Sequence, residues 1–224
     1  MIVKSHSTRH TPAAMQNSPG RSLAFTLIEL LVVIAIIAIL IGLLFPAFRA
    51  VQDQAKRTQA KNDLTQIVNA VNAYYTDYGK YPIAAPGADV SFSANNNTLF
   101  DVLRNMTGAN PGNTLNPRAI LFIQPPTAKD QANPKSGIKT STGVWYDPWG
   151  SPYNVSIDGN YNNIVRAPSY TDLASTYVTA TDGSGDVGVG TGVFAWSLGA
   201  DLTLGTANPP SSNYKPSDDV ISWQ

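Results

Sequence analysis

Glu29 is the only glutamate in the 224-residue chain, and it lies near the start of an apolar run, Phe25 to Phe48, that holds no other charged side chain. An ionised side chain in hydrocarbon costs about 2.5–3.5 kcal/mol on insertion scales, so a carboxylate at such a position implies a role beyond packing. With no Lys or Arg between Phe25 and Phe48, Glu29 has no side-chain counter-ion within its own segment. A cut between Ala24 and Phe25 would create one. The new amino group of Phe25 would be a cation one helical turn away, able to pair with Glu29 or with its copy in a neighbouring chain.

A second set of carboxylates stands at the other end. Asp201 and the pair Asp218-Asp219 flank a loop rich in Pro, Ser and Asn. The chain has no cysteine, so no disulfide staples this loop. A hard cation suits the task, since calcium takes six to eight oxygen ligands in flexible geometry from carboxylates and loop carbonyls. The same acids also suit Asx turns, and residue types alone leave both readings open.

Other chemistries are largely removed. Both histidines, His6 and His10, precede Phe25, so a chain cut there has neither His nor Cys. Ser-His, Cys-His, zinc and haem sites then lack their ligands or bases. Asp182-Gly183-Ser184-Gly185-Asp186-Val187-Gly188 imitates the start of an EF-hand and a dinucleotide loop. The first lacks its bidentate glutamate and the second its strand-turn-helix setting, which leaves a flexible Gly-rich loop. A membrane-anchored enzyme or ligand-binding head using paired aspartates is the alternative class. It finds no nucleophile-base spacing, so the chain reads as a non-enzyme.

The elements that position these groups follow from pattern. The apolar run of more than 20 residues is long enough to span a bilayer, and too long for the core of a conventional signal peptide. Basic residues flank it on both sides, Lys4, Arg9 and Arg21 before and Arg49, Lys56, Arg57 and Lys61 after, so charge alone does not orient it. Beyond it, Val51, Ala55, Leu64, Ile67, Val68, Val71, Tyr74, Tyr75 and Tyr78 recur at mostly three- and four-residue spacings, with Lys56, Arg57, Lys61, Asp63, Asn69 and Asn72 between them. One helix from about residue 25 to 78 is predicted, ended by Gly79 and Pro82, with a bend or local melting at Gly42 and Pro46. Residues 97–106 read as a short capped helix, and 119–123 as a strand or a further helical turn. Residues 124–143 read as a surface connection. Strands are expected at 152–157 and 161–165, forming a hairpin about Asp158-Gly159-Asn160, and at 193–198.

At 23.9 kDa, with 43% hydrophobic and 13% charged residues, the composition suits one anchored globular domain. Without residues 1–24 the chain has 12 basic residues against 15 acidic, which argues against a nucleic-acid partner.

The stretch from Arg21 through Phe25-Thr26-Leu27-Ile28-Glu29 to Leu40 resembles the N-terminal signal of type IV pilins and type II secretion pseudopilins. Asp147-Pro148-Trp149-Gly150-x-Pro152-Tyr153, in its place after the long helix, resembles the major pseudopilin more than pilins at large. The resemblance implies an α+β pilin-like fold, a long N-terminal α-helix packed on a small antiparallel β-sheet head. It implies a leader, 1–24, with Met1 or Met15 as the start; a transmembrane and polymerisation helix, 25–48; an amphipathic continuation, 49–82; and a head, 83–224. A prepilin peptidase would cut between Ala24 and Phe25 and methylate the Phe25 amine, and Glu29 would guide assembly. Ala24 stands where glycine is usual. In the C-terminal segment the resemblance implies calcium bound by Asp201, Asp218 and Asp219, with carbonyls near Leu198 and Ala200. The implied function is a structural subunit of a type II secretion pseudopilus, in the bacterial inner membrane with its head in the periplasm. Its implied partners are its own copies, the peptidase, the inner-membrane assembly platform and minor pseudopilins. A type IV pilus subunit for adhesion, motility or DNA uptake is the alternative.

Overall fold

The computed structural model describes residues 25–106, 114–166, 188–207 and 210–223, with positions 46, 47, 166 and 207 described by backbone only. The leader, with Ala24, and most of the Asp182–Gly188 loop lie outside the described residues. The chain divides into two compact units, one ending at Phe48 and one beginning at Arg49. A single helix, α1 (Leu27–Tyr78), contributes to both.

In the first unit an 18-residue window of α1 has mean hydropathy 3.2 and none of it is buried, so this helix is long and apolar enough to cross a membrane. The helix runs unbroken through Gly42 and Pro46, without the melting that the sequence suggested.

In the second unit, Ala60, Asp63, Leu64, Ile67, Ala70, Val71 and Tyr74 form the buried stripe of α1. Their three- and four-residue steps put them on one face. Val51, Ala55 and Tyr75, expected on this stripe, are exposed, and Asp63, expected between stripe positions, is buried on it. Gly79, at φ +67°, ends the helix by donating its N–H to the Tyr75 carbonyl at 2.8 Å, a conformation that glycine adopts without steric cost.

The stripe joins a core built from a four-stranded antiparallel sheet in the order β1 (Val90–Phe92), β4 (Asn154–Ile157), β7 (Val193–Ser197), β10 (Val220–Ile221). Val155 lies opposite Ala195 and Phe92 opposite Val155, and Val220 opposite Ser197. The short helix α2 (Asn97–Leu103) adds Leu99, Phe100, Val102 and Leu103 to the same core. Trp145 is fully buried at its centre, edge-on to Phe100 at 5.1 Å and to Tyr153 at 5.4 Å between ring centroids. Burying side chains of this size stabilises the head by about 1.5–3 kcal/mol each. Short pairs complete the head: β2 (Gly137–Ile138) with β3 (Trp145–Tyr146), β5 (Val165–Arg166) with β6 (Gly188–Val189), and β8 (Thr206–Ala207) with β9 (Pro210–Ser211).

Two sequence expectations are corrected. Residues 152–157 and 161–165 do not form a hairpin; β4 pairs with β1 and β7, and Val165 pairs with Val189. The reason lies in the turn. The buried Asp158 carboxylate accepts the N–H groups of Asn162 (3.3 Å) and Asn163 (2.8 Å), and Tyr161 and Asn163 both take φ +62°, which turns the chain away from β4. Residues 119–123 are neither strand nor helix, and Phe122 is tied by its N–H to the Leu103 carbonyl at 2.9 Å.

Candidate functional site

Thr26 and Glu29 build the start of α1. Thr26 precedes the first helical residue, and Glu29 is the third residue of the helix. The Glu29 Oε2 accepts both the Thr26 N–H (2.8 Å) and the Thr26 hydroxyl (2.7 Å), while the Glu29 N–H reaches the Thr26 Oγ1 at 3.3 Å. This is a capping box, in which each residue satisfies a donor that the first helical turn leaves open. The negative charge also complements the positive end of the helix dipole. Glu29 therefore has local hydrogen-bond donors before any cut or contact between chains, while its segment still holds no side-chain counter-ion. The signal for the box in the sequence is the spacing Thr-x-x-Glu.

Phe25 lies immediately before this box and is 77% exposed. Next to it along the helix Ile28, Val32 and Val33 line a shallow apolar depression with Phe25 and Glu29. The geometry thus puts the one acid of the segment, the residue whose amine a cut would free, and an unburied apolar face at one helix end. Among the described residues Glu29 Oε1 accepts no hydrogen bond, which leaves one oxygen of the carboxylate available to a cation.

At the C-terminal end the two acid-bearing segments adjoin. Asp218 accepts the backbone N–H groups of Ala200 and, at 3.2 Å, of Asp201 through Oδ2. Gly199, at φ +67°, permits this approach, because a Cβ there would meet the Asp218 carbonyl oxygen at 2.5 Å and its Cγ at 2.6 Å. Asp219, buried, accepts the Gly205 N–H at 2.7 Å, and Asp201 Oδ1 accepts that of Thr203 at 2.9 Å. Leu198 is half-buried at the end of β7 and Ala200 is exposed. Carboxylates and loop carbonyls are donors of the kind calcium takes. Among the described residues, however, no three acidic side chains converge on one point, and the carboxylates turn to backbone amides as in Asx turns.

A helix that begins with a capped glutamate in an apolar run, and that continues onto a small antiparallel sheet, defines a pilin-type subunit. Residues 20–45 match the family model described as the prokaryotic N-terminal methylation motif. The chain is 32% identical over 137 residues to the type II secretion system core protein G of Pseudomonas aeruginosa, covering 60% of this chain and 73% of that protein. It is 27% identical over 146 residues to the protein of the same name from Aeromonas hydrophila, covering 64% of this chain and 79% of that one. The type IV major pilin protein PilA of Myxococcus xanthus is 36% identical over 61 residues, 27% of this chain and 28% of that protein. No solved structure matches the chain. The chain belongs to the family of the type II secretion system core protein G.

Proposed function

We propose that this protein is a structural subunit of a type II secretion pseudopilus, and that it polymerises through its N-terminal helix to drive protein export. A prepilin peptidase cuts between Ala24 and Phe25 and methylates the freed amine, which keeps its charge. The apolar helix holds the subunit in the bacterial inner membrane with the head in the periplasm. The assembly platform and minor pseudopilins are its further partners. The observation that carries this reading is the placement of Glu29 at the first turn of an unburied apolar helix, next to the residue whose amine the cut would free. Copies can bury that helix only against lipid or one another. Among pilin-type subunits the secretion reading is favoured over a type IV pilus by the longer similarity to core protein G, 137 residues against 61. Mass spectrometry of the protein from cells with the peptidase is expected to find an N-methylated Phe25 at the mature terminus. A chain still carrying residues 1–24 in those cells would overturn the processing step.

We propose in addition that calcium binds the C-terminal loop through Asp201, Asp218 and Asp219, with the carbonyls of Leu198 and Ala200. This reading is supported by the way Asp218 and Gly199 bring the two segments together. Bound to the folded state alone, the ion at a hundredfold excess over its Kd would add about 2.7 kcal/mol. The melting temperature is expected to rise with calcium and to lose that response in Asp218→Ala/Asp219→Ala. A melting curve indifferent to both calcium and chelator removes the metal.

A further inference from the structure

Two buried carboxylates in the head belong to neither site. Asp63, on the stripe of α1, is 7% exposed and Asp147, in the turn after β3, is fully buried. Tyr153, also fully buried, donates its hydroxyl to Asp63 Oδ2 at 2.8 Å. The titratable groups that face Asp63 are Tyr153 and Asp147, and neither is a cation. Lys61, two residues earlier on α1, is turned to the Ile221 carbonyl at 2.7 Å. Among the described residues, neither aspartate has an ion-pair partner.

Donors divide unequally between them. Asp147 Oδ1 accepts the N–H groups of Trp149 (2.9 Å), Gly150 (2.7 Å) and Ser151 (2.8 Å), and its Oδ2 accepts the Ser197 hydroxyl at 2.5 Å. Asp63 accepts one hydroxyl. A buried carboxylate surrounded by donors is held ionised, whereas one with a single donor and a like charge nearby keeps its proton more readily.

We propose that Asp63 is a proton-binding site of the head, occupied while Asp147 stays ionised, and that its occupancy sets how stably α1 packs against the sheet. Burial pushes both aspartates above the ordinary value of 3.8, with the Asp147 charge pushing Asp63 further, while the hydrogen bonds that each accepts oppose the rise. A group with a raised folded-state value stabilises fully below its ordinary value and loses that contribution as pH rises through the raised one. The packing of α1 on the sheet is therefore most stable in mild acid and loses stability as pH rises. The two ionised neighbours would otherwise repel across the helix-sheet contact.

The test compares the full-length protein with Asp63→Asn in detergent micelles between pH 4 and pH 8. The wild-type melting temperature should fall by about 3–5 °C for each factor of ten by which folding raises the proton affinity of the site. The amide of Asp63→Asn cannot ionise, so in that variant the fall should flatten and the melting temperature at pH 8 should equal or exceed that of wild type. An unchanged slope overturns the proposal. Carboxyl carbon-13 NMR of aspartate-labelled wild type gives a second measurement should the variant fail to fold. The Asp63 resonance is expected to titrate above the ordinary value. If every aspartate titrates at or below it, or if no raised resonance is lost in Asp63→Asn, Asp63 is not the site.

Discussion

Replacing Glu29 by Ala is expected to abolish fibre assembly and to leave the chain in the membrane. The two outcomes separate because different terms control them. Insertion depends on the apolar run, which the substitution leaves intact, and removing an ionisable group from it lowers the cost of entering hydrocarbon by up to about 2.5–3.5 kcal/mol. The capping box is lost, at about 0.5–2 kcal/mol, but lipid still requires every backbone group of that helix to be bonded internally. Assembly depends on the pair. In the proposed fibre the Phe25 amine of one subunit loses its anion in an apolar seam, and breaking a buried pair from one side costs about 3–5 kcal/mol. That is about 10²- to 10⁴-fold at each contact, repeated along the fibre. Thr26→Val supplies the contrast: it removes the hydroxyl that Glu29 accepts at 2.7 Å while the backbone N–H at 2.8 Å remains. It should weaken the first turn and reduce assembly, but far less than Glu29→Ala. Electron microscopy of sheared fibres, with membrane fractionation of the same cells, reads both quantities. Normal fibres from Glu29→Ala would remove the docking role altogether.

The long helix was legible in the sequence because it repeats one rule many times. Stripe positions from Leu64 to Tyr74 keep the helical period, and Gly79-x-x-Pro82 ends the pattern with two residues that cannot extend it. The sheet was less legible. Strands of two residues, such as β2, β3 and β10, are too short to show an alternation of period 2. The β4 segment is buried at every position, so it shows no alternation either. Its partner was misassigned because Asp158-Gly159-Asn160 has hairpin turn chemistry, while the pairing depends on long-range contacts with β1 and β7.

The candidate site divides in the same way. Glu29 stood out because its charge violates the pattern around it. Thr26 was missed because a threonine at a helix start violates nothing, and only its spacing to Glu29 carries the signal. Asp63 is expected between the stripe positions, and aspartate is seldom buried. Its steps from Ala60 and to Ile67 place it on the stripe, and the buried Tyr153 hydroxyl explains how an acid is tolerated there. A partner 90 residues away cannot be read from local pattern.

The second large effect is expected at Asp147→Ala, which should lower the stability of the head by several kcal/mol, about 2–6 kcal/mol for its two buried donors. The Asp-Pro-Trp-Gly turn has no regular secondary structure to satisfy its backbone. Three consecutive N–H groups, those of Trp149, Gly150 and Ser151, converge instead on the one oxygen Oδ1. Alanine leaves all three donors and the Ser197 hydroxyl without that acceptor, in a region where Trp145, Tyr153 and Ser197 are fully buried. A buried donor left unsatisfied costs about 1–3 kcal/mol. The buried Ser151 N–H and Ser197 hydroxyl bear that cost in full. The half-buried Trp149 and Gly150 groups bear less, Gly150 keeping the Asp147 carbonyl at 3.2 Å. The loss is thus a large share of the about 5–15 kcal/mol that holds a typical domain folded. Asp147→Asn is the informative comparison. Its side-chain oxygen can accept the same three N–H groups, and its amide can donate to the Ser197 oxygen, so the network survives with one bond reversed and no buried charge. Circular dichroism melts should show a large loss for Ala and a small change of either sign for Asn. Equal losses in both variants would mean that the negative charge itself, rather than the acceptor geometry, holds the turn.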